Sequence, residues 1–185
     1  MAASESITGD DIPAIDRLKA PGPETELLRP LCGTFAVENR LWSAPGADPV
    51  ISAAIARRRL VGDMYLEEVM APASGAGQPA FTRISYLNFN VLNRRWEYVS
   101  LDTRIPAQLM YELSEDDKAG DGQTLILHLP GFTLPGWGSE VTGQWARQRR
   151  EIALESPDRQ AMRQYWTLPA AREYLAVTYV YTRAE

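Results

Sequence analysis

The chain has 185 residues, of which 45% are hydrophobic, 9% aromatic and 23% charged. This length and composition predict one globular domain and exclude a chain that is disordered throughout. The net charge of −5 belongs mostly to residues 1–26, which contain six acidic and two basic residues. The remaining chain is therefore nearly neutral and lacks the basic face that nucleic-acid binding requires. The single cysteine, Cys32, excludes an intramolecular disulfide framework, and the single histidine, His128, excludes a multi-histidine metal site within one chain.

The first segment, residues 1–23, is rich in Ala, Ser, Asp, Gly and Pro, and we predict a flexible acidic tail. No basic segment followed by an apolar run marks a secretory signal, and no stretch approaches the ~20 apolar residues of a membrane span. We therefore expect a cytoplasmic protein that does not associate with membranes. Residues 24–185 form the predicted folded domain, which begins with one or two helical turns over Glu24–Leu31, where Leu27, Leu28 and Leu31 share one side.

Ten short runs rich in β-branched and aromatic residues follow, separated by Gly, Pro, Asn and Asp. The predicted strands are Thr34–Trp42, Ala53–Val61, Met64–Met70, Ala80–Asn88, Arg95–Asp102, Ala107–Leu113, Thr124–Leu129, Trp145–Glu155, Gln160–Leu168 and Arg172–Thr182. No segment of helical length separates them, which argues against parallel β-α-β topology. The spacing predicts an all-β sandwich or barrel.

Three short connections predict how the strands pair. Gly62–Asp63 has the pattern of a two-residue hairpin turn, and Ser156–Arg159 has the proline position of a type I turn. With the Asn90–Asn93 connection, they predict these cross-strand pairs: Arg58 with Glu67, Arg57 with Glu68, Leu87 with Trp96, Ser85 with Tyr98, Arg83 with Ser100, and Arg149 with Trp166.

These pairings divide the side chains between two faces of the sheet. The face predicted to be interior combines Met64, Leu66, Met70, Phe81, Leu87, Trp96, Tyr98, Ala153, Met162, Trp166, Leu175, Val177 and Tyr179 with Arg57, Glu68, Arg83, Asp102, Arg149, Glu151 and Glu173. The opposite face holds Arg58, Glu67, Asn88, Arg95, Glu97, Arg150 and Arg163 with Ile84, Val99 and Ile152. The predicted interior is therefore partly apolar and partly ionisable.

A mixed interior is typical of a barrel that holds one small ligand, and arginine binds carboxylates through two hydrogen bonds. The predicted ligand-binding residues are Arg57, Glu68, Arg83, Trp96, Tyr98, Asp102, Arg149, Trp166 and Tyr179. Alternatively, the charged residues lie at the ends or outside of the barrel as solvated cross-strand pairs, because burying a charge is costly unless it is paired.

The segment Leu129–Trp137 contains two consecutive Leu-Pro-Gly-aromatic sequences and is predicted to be a loop, because proline and glycine interrupt regular strands. Its large apolar side chains, Phe132 and Trp137, are interpreted as a lid over the barrel. The alternative is a corner that plugs one end or packs against a second subunit, which would make the protein a homodimer.

His128 is a possible general base or haem ligand, although a lone histidine is more often structural. Cys32 is interpreted as a small buried hydrophobe. The sequence contains no nucleophile elbow, phosphate-binding loop or convincingly spaced pair of acids. It therefore predicts no cofactor and no metal, and the catalytic residues are unknown.

Residues 31–184 resemble domain-of-unknown-function family 1579, small bacterial proteins with a lipocalin-like (calycin) barrel. The resemblance is carried by Gly33–Phe35, Arg40–Trp42, Arg59–Glu68, Ile84–Asn90, Trp96–Asp102 and Tyr179–Arg183. It implies an antiparallel up-and-down β-barrel of about ten strands after a short N-terminal helix. The family has no established activity, so it implies no catalytic residue.

The function predicted first is binding of a small, partly apolar molecule that carries an acidic or carbonyl group in the barrel lumen. A second hypothesis is a cyclase or isomerase of a biosynthetic pathway that uses the same lumen with Tyr98, Asp102 or an arginine. A third is a haem-binding barrel with His128 as the axial ligand, and a fourth is a structural dimer.

Overall fold

The structure is a computed structural model that describes residues 22–75, 77, 79–105, 109–115, 124–134, 142–169 and 171–184. A four-residue helix, α1 (Pro23–Glu26), and a 3-10 turn (Arg29–Leu31) precede the strands. The strands are β1 (Gly33–Leu41), β2 (Val50–Val61), β3 (Tyr65–Pro72), β4 (Arg83–Asn90), β5 (Arg95–Asp102), β6 (Met110–Leu113), β7 (Thr124–Thr133), β8 (Trp145–Ser156), β9 (Arg159–Thr167) and β10 (Tyr174–Arg183).

The strands form one closed antiparallel barrel in which each strand pairs with its neighbours in sequence, and β1 pairs with β10. This architecture confirms the prediction of a ten-stranded, lipocalin-like, up-and-down barrel with a short N-terminal helix. No helix in the described ranges has the length and hydrophobicity to cross a membrane.

The barrel interior is filled by the alternate residues of each strand. In β4 the buried side chains are Arg83, Ser85, Leu87 and Phe89, with half-buried residues between them. This two-residue period places every second side chain inside. Edge-to-face aromatic pairs contribute to the core, with ring centroids 6.2 Å apart for Phe35 and Tyr181, 5.4 Å for Phe89 and Trp96, and 5.6 Å for Phe132 and Trp166.

The barrel end at which β1 begins is closed by the N-terminal helical segment. Leu28 and Leu31 join the hydrophobic core and are 1% and 2% exposed. Leu27 is 40% exposed, so the predicted grouping of all three leucines on one side is wrong. Arg183, at the end of β10, donates hydrogen bonds from Nη1 to the Cys32 carbonyl at 2.9 Å and from Nη2 to the Pro30 carbonyl at 3.0 Å. The chain before β1 is therefore held by the last strand.

Gly33 allows this contact between the start of β1 and the end of β10. Its φ is +134°, and a Cβ at this position would lie 2.3 Å from Nη1 of Arg183. We expect Gly33→Ala to lower the free energy of unfolding by about 1–3 kcal/mol because it adds backbone strain and displaces Arg183. Gly46→Ala is the control, since Gly46 also has a positive φ but nothing lies within 4 Å of its Cβ position. Equal losses for the two variants in urea denaturation would show that the Arg183 contact contributes little.

The β2–β3 pairing differs from the prediction by one residue. Val61 pairs with Tyr65, so the turn contains three residues instead of two, and Arg58 lies opposite Glu68. A shift of one residue exchanges the faces of a strand. The prediction that Arg57 lies inside is therefore wrong: Arg57 is exposed, and Arg58 is buried in its place.

The β8–β9 pairing also differs by one residue, because an irregularity lies between Ala153 and Ser156. Arg149 pairs with Tyr165 and faces outward, where its guanidinium group binds Glu173 at 2.7 Å and Glu151 at 2.5 Å. The predictions of Arg149, Glu151 and Glu173 as interior residues are therefore wrong. Arg150, predicted to lie outside, is 1% exposed and points into the barrel.

The β4–β5 hairpin is shifted by two residues, a change that keeps each side chain on its predicted face. Leu87 pairs with Tyr98, Phe89 with Trp96, and Arg83 with Asp102. The interior placement of Trp96 and Tyr98 is accordingly correct, although their predicted partners are wrong.

Strand β7 continues through the first of the two Leu-Pro-Gly-aromatic sequences, so the prediction that Leu129–Phe132 is a loop is wrong. A register shift between Leu129 and Phe132 accommodates Pro130, which is exposed, and Phe132 is 6% exposed inside the barrel. Phe132 is therefore a core residue and does not form a subunit interface. Trp137, the other predicted lid residue, lies outside the described residues.

Candidate functional site

A cavity of about 50 Å³ lies inside the barrel, away from the end closed by Leu28 and Leu31. It is lined by the portions of β4–β10 at the opposite end of the barrel and by the segment after β5. The lining residues are Arg83, Ser100, Asp102, Arg104, Ile105, Met110, Phe132, Gln148, Arg150, Gln164, Trp166 and Tyr179. The site thus combines three arginines, one carboxylate and an apolar wall.

Arg150 is neutralised by a carboxylate behind the cavity wall. Its Nη2 and Nε donate to Oε1 and Oε2 of Glu112 at 2.6 and 2.8 Å. Glu112, which is 0% exposed, also accepts from the Gln148 amide at 2.9 Å, and Gln148 accepts from the Trp166 indole at 2.9 Å. This connected network satisfies the buried charges and fixes two of the lining side chains.

Arg104 is neutralised by Asp102 at the rim of the cavity. Its Nε and Nη2 lie 2.9 and 2.5 Å from the two carboxylate oxygens, and its guanidinium carbon lies 3.9 Å from the ring centroid of Phe81. Burial disfavours the charged form of Asp102, but the hydrogen bonds from the Arg104 side chain and backbone outweigh this effect and lower its pKa. Asp102 is therefore an ionised partner of Arg104.

Arg83 is the lining arginine without a carboxylate partner among the described residues. It is 3% exposed. Its Nη2 donates to the Tyr98 hydroxyl and lies 3.7 Å from the Met162 sulfur, and its guanidinium carbon lies 4.7 Å from the Tyr179 ring centroid. Its Nη1 is buried and makes no hydrogen bond within the described structure. Arginine stays protonated, and Glu68, which also attracts Arg83, is already paired with Arg58, so the described interior carries one positive charge in excess.

A second buried ion pair lies nearer the closed end and does not line the cavity. Arg58 binds the Glu68 carboxylate at 2.7 Å, donates to Gln160, and lies 3.9 Å from the ring centroid of Tyr181. Burial raises the pKa of Glu68, but the nearby charges of Arg58 and Arg83 reverse this effect, and the pKa lies below its usual value. We interpret this cluster as structural.

The structure divides the predicted ligand-binding residues into three groups. Those that line the cavity are Arg83, Asp102, Trp166 and Tyr179, together with the predicted lid residue Phe132. Those that are buried but do not line it are Glu68, Trp96 and Tyr98. Arg57 and Arg149 lie on the outer face, as described above.

Sequence reasoning missed Arg150, Glu112 and Gln148. The irregularity in β8 places Arg150 and Gln148 on the inner face, against the predicted register. Strand β6 is only four residues long, too short for its alternation to identify Glu112 as an inward residue. Arg104 could have been identified from the sequence Asp102-Thr103-Arg104. An acidic residue at the end of a strand, two residues before an arginine, favours a local ion pair.

His128 lies on the outer face of β7 between the buried Leu127 and Leu129. Its side chain is 38% exposed, and its Nε2 lies 3.8 Å from Oε1 of Glu115. The hypothesis that His128 ligates a haem inside the barrel is therefore wrong, because the side chain points away from the lumen.

The described geometry is that of a closed β-barrel in which polar groups converge on an interior space. The sequence profile of the family described as Protein of unknown function (DUF1579) matches residues 20–183, and the chain belongs to this family. The same family was indicated by the strand motifs.

The crystal structure of Rv2717c from M. tuberculosis is similar to this chain, with a TM-score of 0.58 and 14% sequence identity. The match covers 90% of this chain and 100% of that one. At this identity the likeness concerns the fold. A comparison with curated proteins gives no match.

Proposed function

We propose that the barrel is a binding protein for one small, partly apolar molecule, held through an acidic or carbonyl group in the interior cavity. The observation that carries the proposal is the Nη1 of Arg83, a buried donor without a partner among the described residues, on a side chain that lines the cavity. An unsatisfied buried donor costs about 1–3 kcal/mol, and an oxygen of a ligand removes that cost.

The lining residues support a ligand that has both polar and apolar parts. Ile105, Met110, Phe132 and Trp166 form an apolar wall beside Arg83. The cavity of about 50 Å³ is much smaller than the roughly 300–1,000 Å³ of typical small-molecule pockets, so it accommodates a head group and not a whole ligand. The remainder of the ligand would lie along the apolar wall toward the barrel end opposite Leu28 and Leu31.

The contacts favour binding over the cyclase or isomerase hypothesis. Tyr98 does not line the cavity, and its hydroxyl accepts a hydrogen bond from Arg83. Asp102 lines the cavity, but Arg104 binds both of its oxygens and its lowered pKa makes it a weak proton acceptor. Tyr98 is therefore not placed against a ligand in the cavity, and both oxygens of Asp102 are engaged by Arg104.

The proposal is tested by native mass spectrometry of freshly purified protein and by titration with anilinonaphthalene sulfonate, a fluorescent apolar anion. We expect a copurified small molecule, or a saturable site of one probe per chain. Ser100→Val reduces the space around Arg83 without changing the charge, and it should weaken binding by roughly tenfold. Thr178→Val makes the same kind of substitution on the outer face and should leave binding unchanged.

Two outcomes would contradict the proposal. One is the absence of both a copurified molecule and a saturable probe site in the unaltered protein. The other is equal binding by Ser100→Val and Thr178→Val, which would place the probe outside the cavity. Circular dichroism of each variant establishes that the barrel has formed.

A further inference from the structure

We propose that the cavity selects a monoanion, specifically a carboxylate whose oxygen accepts a hydrogen bond from Nη1 of Arg83, and that Arg83 is the specificity-determining residue. This inference rests on the proposed function and narrows its ligand class from acids and carbonyl compounds to carboxylates.

The first argument is the balance of charges among the described residues. Arg150 is paired with Glu112, Arg104 with Asp102, and Arg58 with Glu68. Arg83 has no such partner in the described structure, although it is as deeply buried as Arg150 and Arg58. An unpaired buried charge is costly, so the cavity is short of one negative charge. A neutral carbonyl compound would satisfy Nη1 but leave that charge uncompensated.

The second argument is that a carboxylate is already close in the sheet but is held by another residue. Asp102 pairs with Arg83 across β4 and β5, so its backbone lies directly opposite. Its two side-chain oxygens are bound instead by the Nε and Nη2 of Arg104, and one also accepts the Arg104 backbone N–H at 2.9 Å. The protein's own acid is therefore engaged by Arg104 and forms no direct ion pair with Arg83 in the described structure.

The third argument is that the Arg83 guanidinium group is fixed before any ligand arrives. Its Nη2 is held by Tyr98 and lies beside Met162, and the Tyr179 ring lies beside its carbon. A group already ordered loses little conformational freedom on binding. Ser100, buried in the same wall, adds a hydroxyl donor for the second oxygen of a carboxylate.

The fourth argument concerns size and total charge. A single uncompensated positive charge matches one negative charge, whereas a phosphate dianion would leave a negative charge buried. A cavity of about 50 Å³ also limits the buried part of the ligand to a head group.

The test compares three probes with unbranched alkyl tails of similar length in carboxylate-free buffer at neutral pH: hexanoate, its uncharged isostere hexanamide, and hexyl phosphate. Isothermal titration calorimetry measures each dissociation constant. We expect hexanoate to bind about 10- to 100-fold more tightly than hexanamide, because a hydrogen bond to a charged group is stronger. Hexyl phosphate should bind more weakly than hexanoate.

Arg83→Gln keeps a hydrogen-bond donor but removes the charge, and it should bring hexanoate and hexanamide to within about twofold of each other. Arg57→Gln is the matched control, because Arg57 is exposed on the outer face, and it should keep the full preference. Arg83→Lys should restore part of the preference for hexanoate, since the charge returns without the planar geometry.

Folding of the Arg83 variants provides a second measurement. Removing a charge that has no partner should leave the midpoint of urea denaturation of Arg83→Met clearly above that of Arg150→Met, which leaves Glu112 unpaired. Equal midpoints for the two variants would contradict the unpaired state of Arg83, even if no probe binds.

The outcomes separate the two proposals. Equal binding of hexanoate and hexanamide, both weakened by Ser100→Val, would retain the binding function and overturn the carboxylate assignment. A preference for hexanoate that persists in Arg83→Gln would overturn the role of Arg83. If neither hexanoate nor anilinonaphthalene sulfonate saturates a site and no molecule copurifies, both proposals are wrong.

Discussion

Glu112→Gln is expected to lower the free energy of unfolding by about 3–5 kcal/mol, because it leaves the buried charge of Arg150 without its carboxylate. Arg150 and Glu112 are 1% and 0% exposed, so water cannot replace the lost partner. The substitution also weakens the contact between Glu112 and Gln148 that orients the Trp166 side of the cavity. For a chain of this size, the loss corresponds to a fall of roughly 10 °C in the melting temperature.

Urea denaturation of a series of variants measures this effect. Glu151→Gln is the matched control, because Glu151 forms a partly exposed pair with Arg149 on the outer face and should contribute no more than about 1 kcal/mol. The double variant Glu112→Leu/Arg150→Met replaces both members of the buried pair. It should recover much of the lost stability, because no unpaired charge remains. A loss for Glu112→Gln as small as that of the control would contradict the prediction.

Glu68→Gln is expected to destabilise the barrel at neutral pH by about 3–5 kcal/mol and to reduce its sensitivity to acid. The folded state lowers the pKa of Glu68, mainly through the charges of Arg58 and Arg83 acting against burial. A lowered pKa stabilises the folded state above the unfolded-state pKa of about 4.3, and this contribution is lost as the pH falls from there through the folded-state pKa. Stability of the unaltered protein should therefore decline below about pH 4.3.

The free energy of unfolding measured by urea denaturation at a series of pH values between neutral and acid tests this expectation. In Glu68→Gln the curve should start lower and fall less steeply in the acid range, because the titrating group is gone. Glu155→Gln is the control, since Glu155 pairs with Arg159 at an exposed position, and its curve should follow that of the unaltered protein. Parallel curves for Glu68→Gln and the unaltered protein would assign the acid sensitivity to other carboxylates.

The ten strands were predictable because their signals are local. Alternation of apolar and polar residues, with Gly, Pro, Asn and Asp between the runs, specifies each strand without reference to its partners. The interior positions of Arg83 and Asp102 were also predictable, because the β4–β5 hairpin differs from its predicted pairing by an even number of residues.

The interior arginines of β2 and β8 were not predictable, because a difference of one residue in a turn exchanges the two faces. In the β2–β3 hairpin, the predicted register pairs Arg58 with Glu67 and Arg57 with Glu68. The observed register pairs Arg58 with Glu68 and Arg59 with Glu67, so both registers place two arginines opposite two glutamates. Electrostatic complementarity therefore could not distinguish the two registers. The three-residue turn, in which Gly62 and Asp63 both have positive φ, decides the outcome.

The carboxylate behind the cavity wall, Glu112, was missed for a different reason. Glu112 lies in β6, which is only four residues long, and its partner Arg150 is 38 residues away in sequence. Such a pair becomes visible only when the barrel places β6 and β8 on either side of β7 with both side chains in one interior. Local sequence patterns carry no information about a contact of this kind.

The pairing of β1 with β10 also determines when the barrel can form during synthesis. Strands β1–β9 can associate in order as they leave the ribosome, but the backbone edge of β1 remains unpaired until Tyr174–Arg183 has emerged. Unpaired edges promote association between nascent chains, so a chain that ends before Tyr174 would expose two such edges at once. Barrel closure therefore waits for the last strand, and termination before that strand would yield an aggregation-prone product instead of a smaller domain.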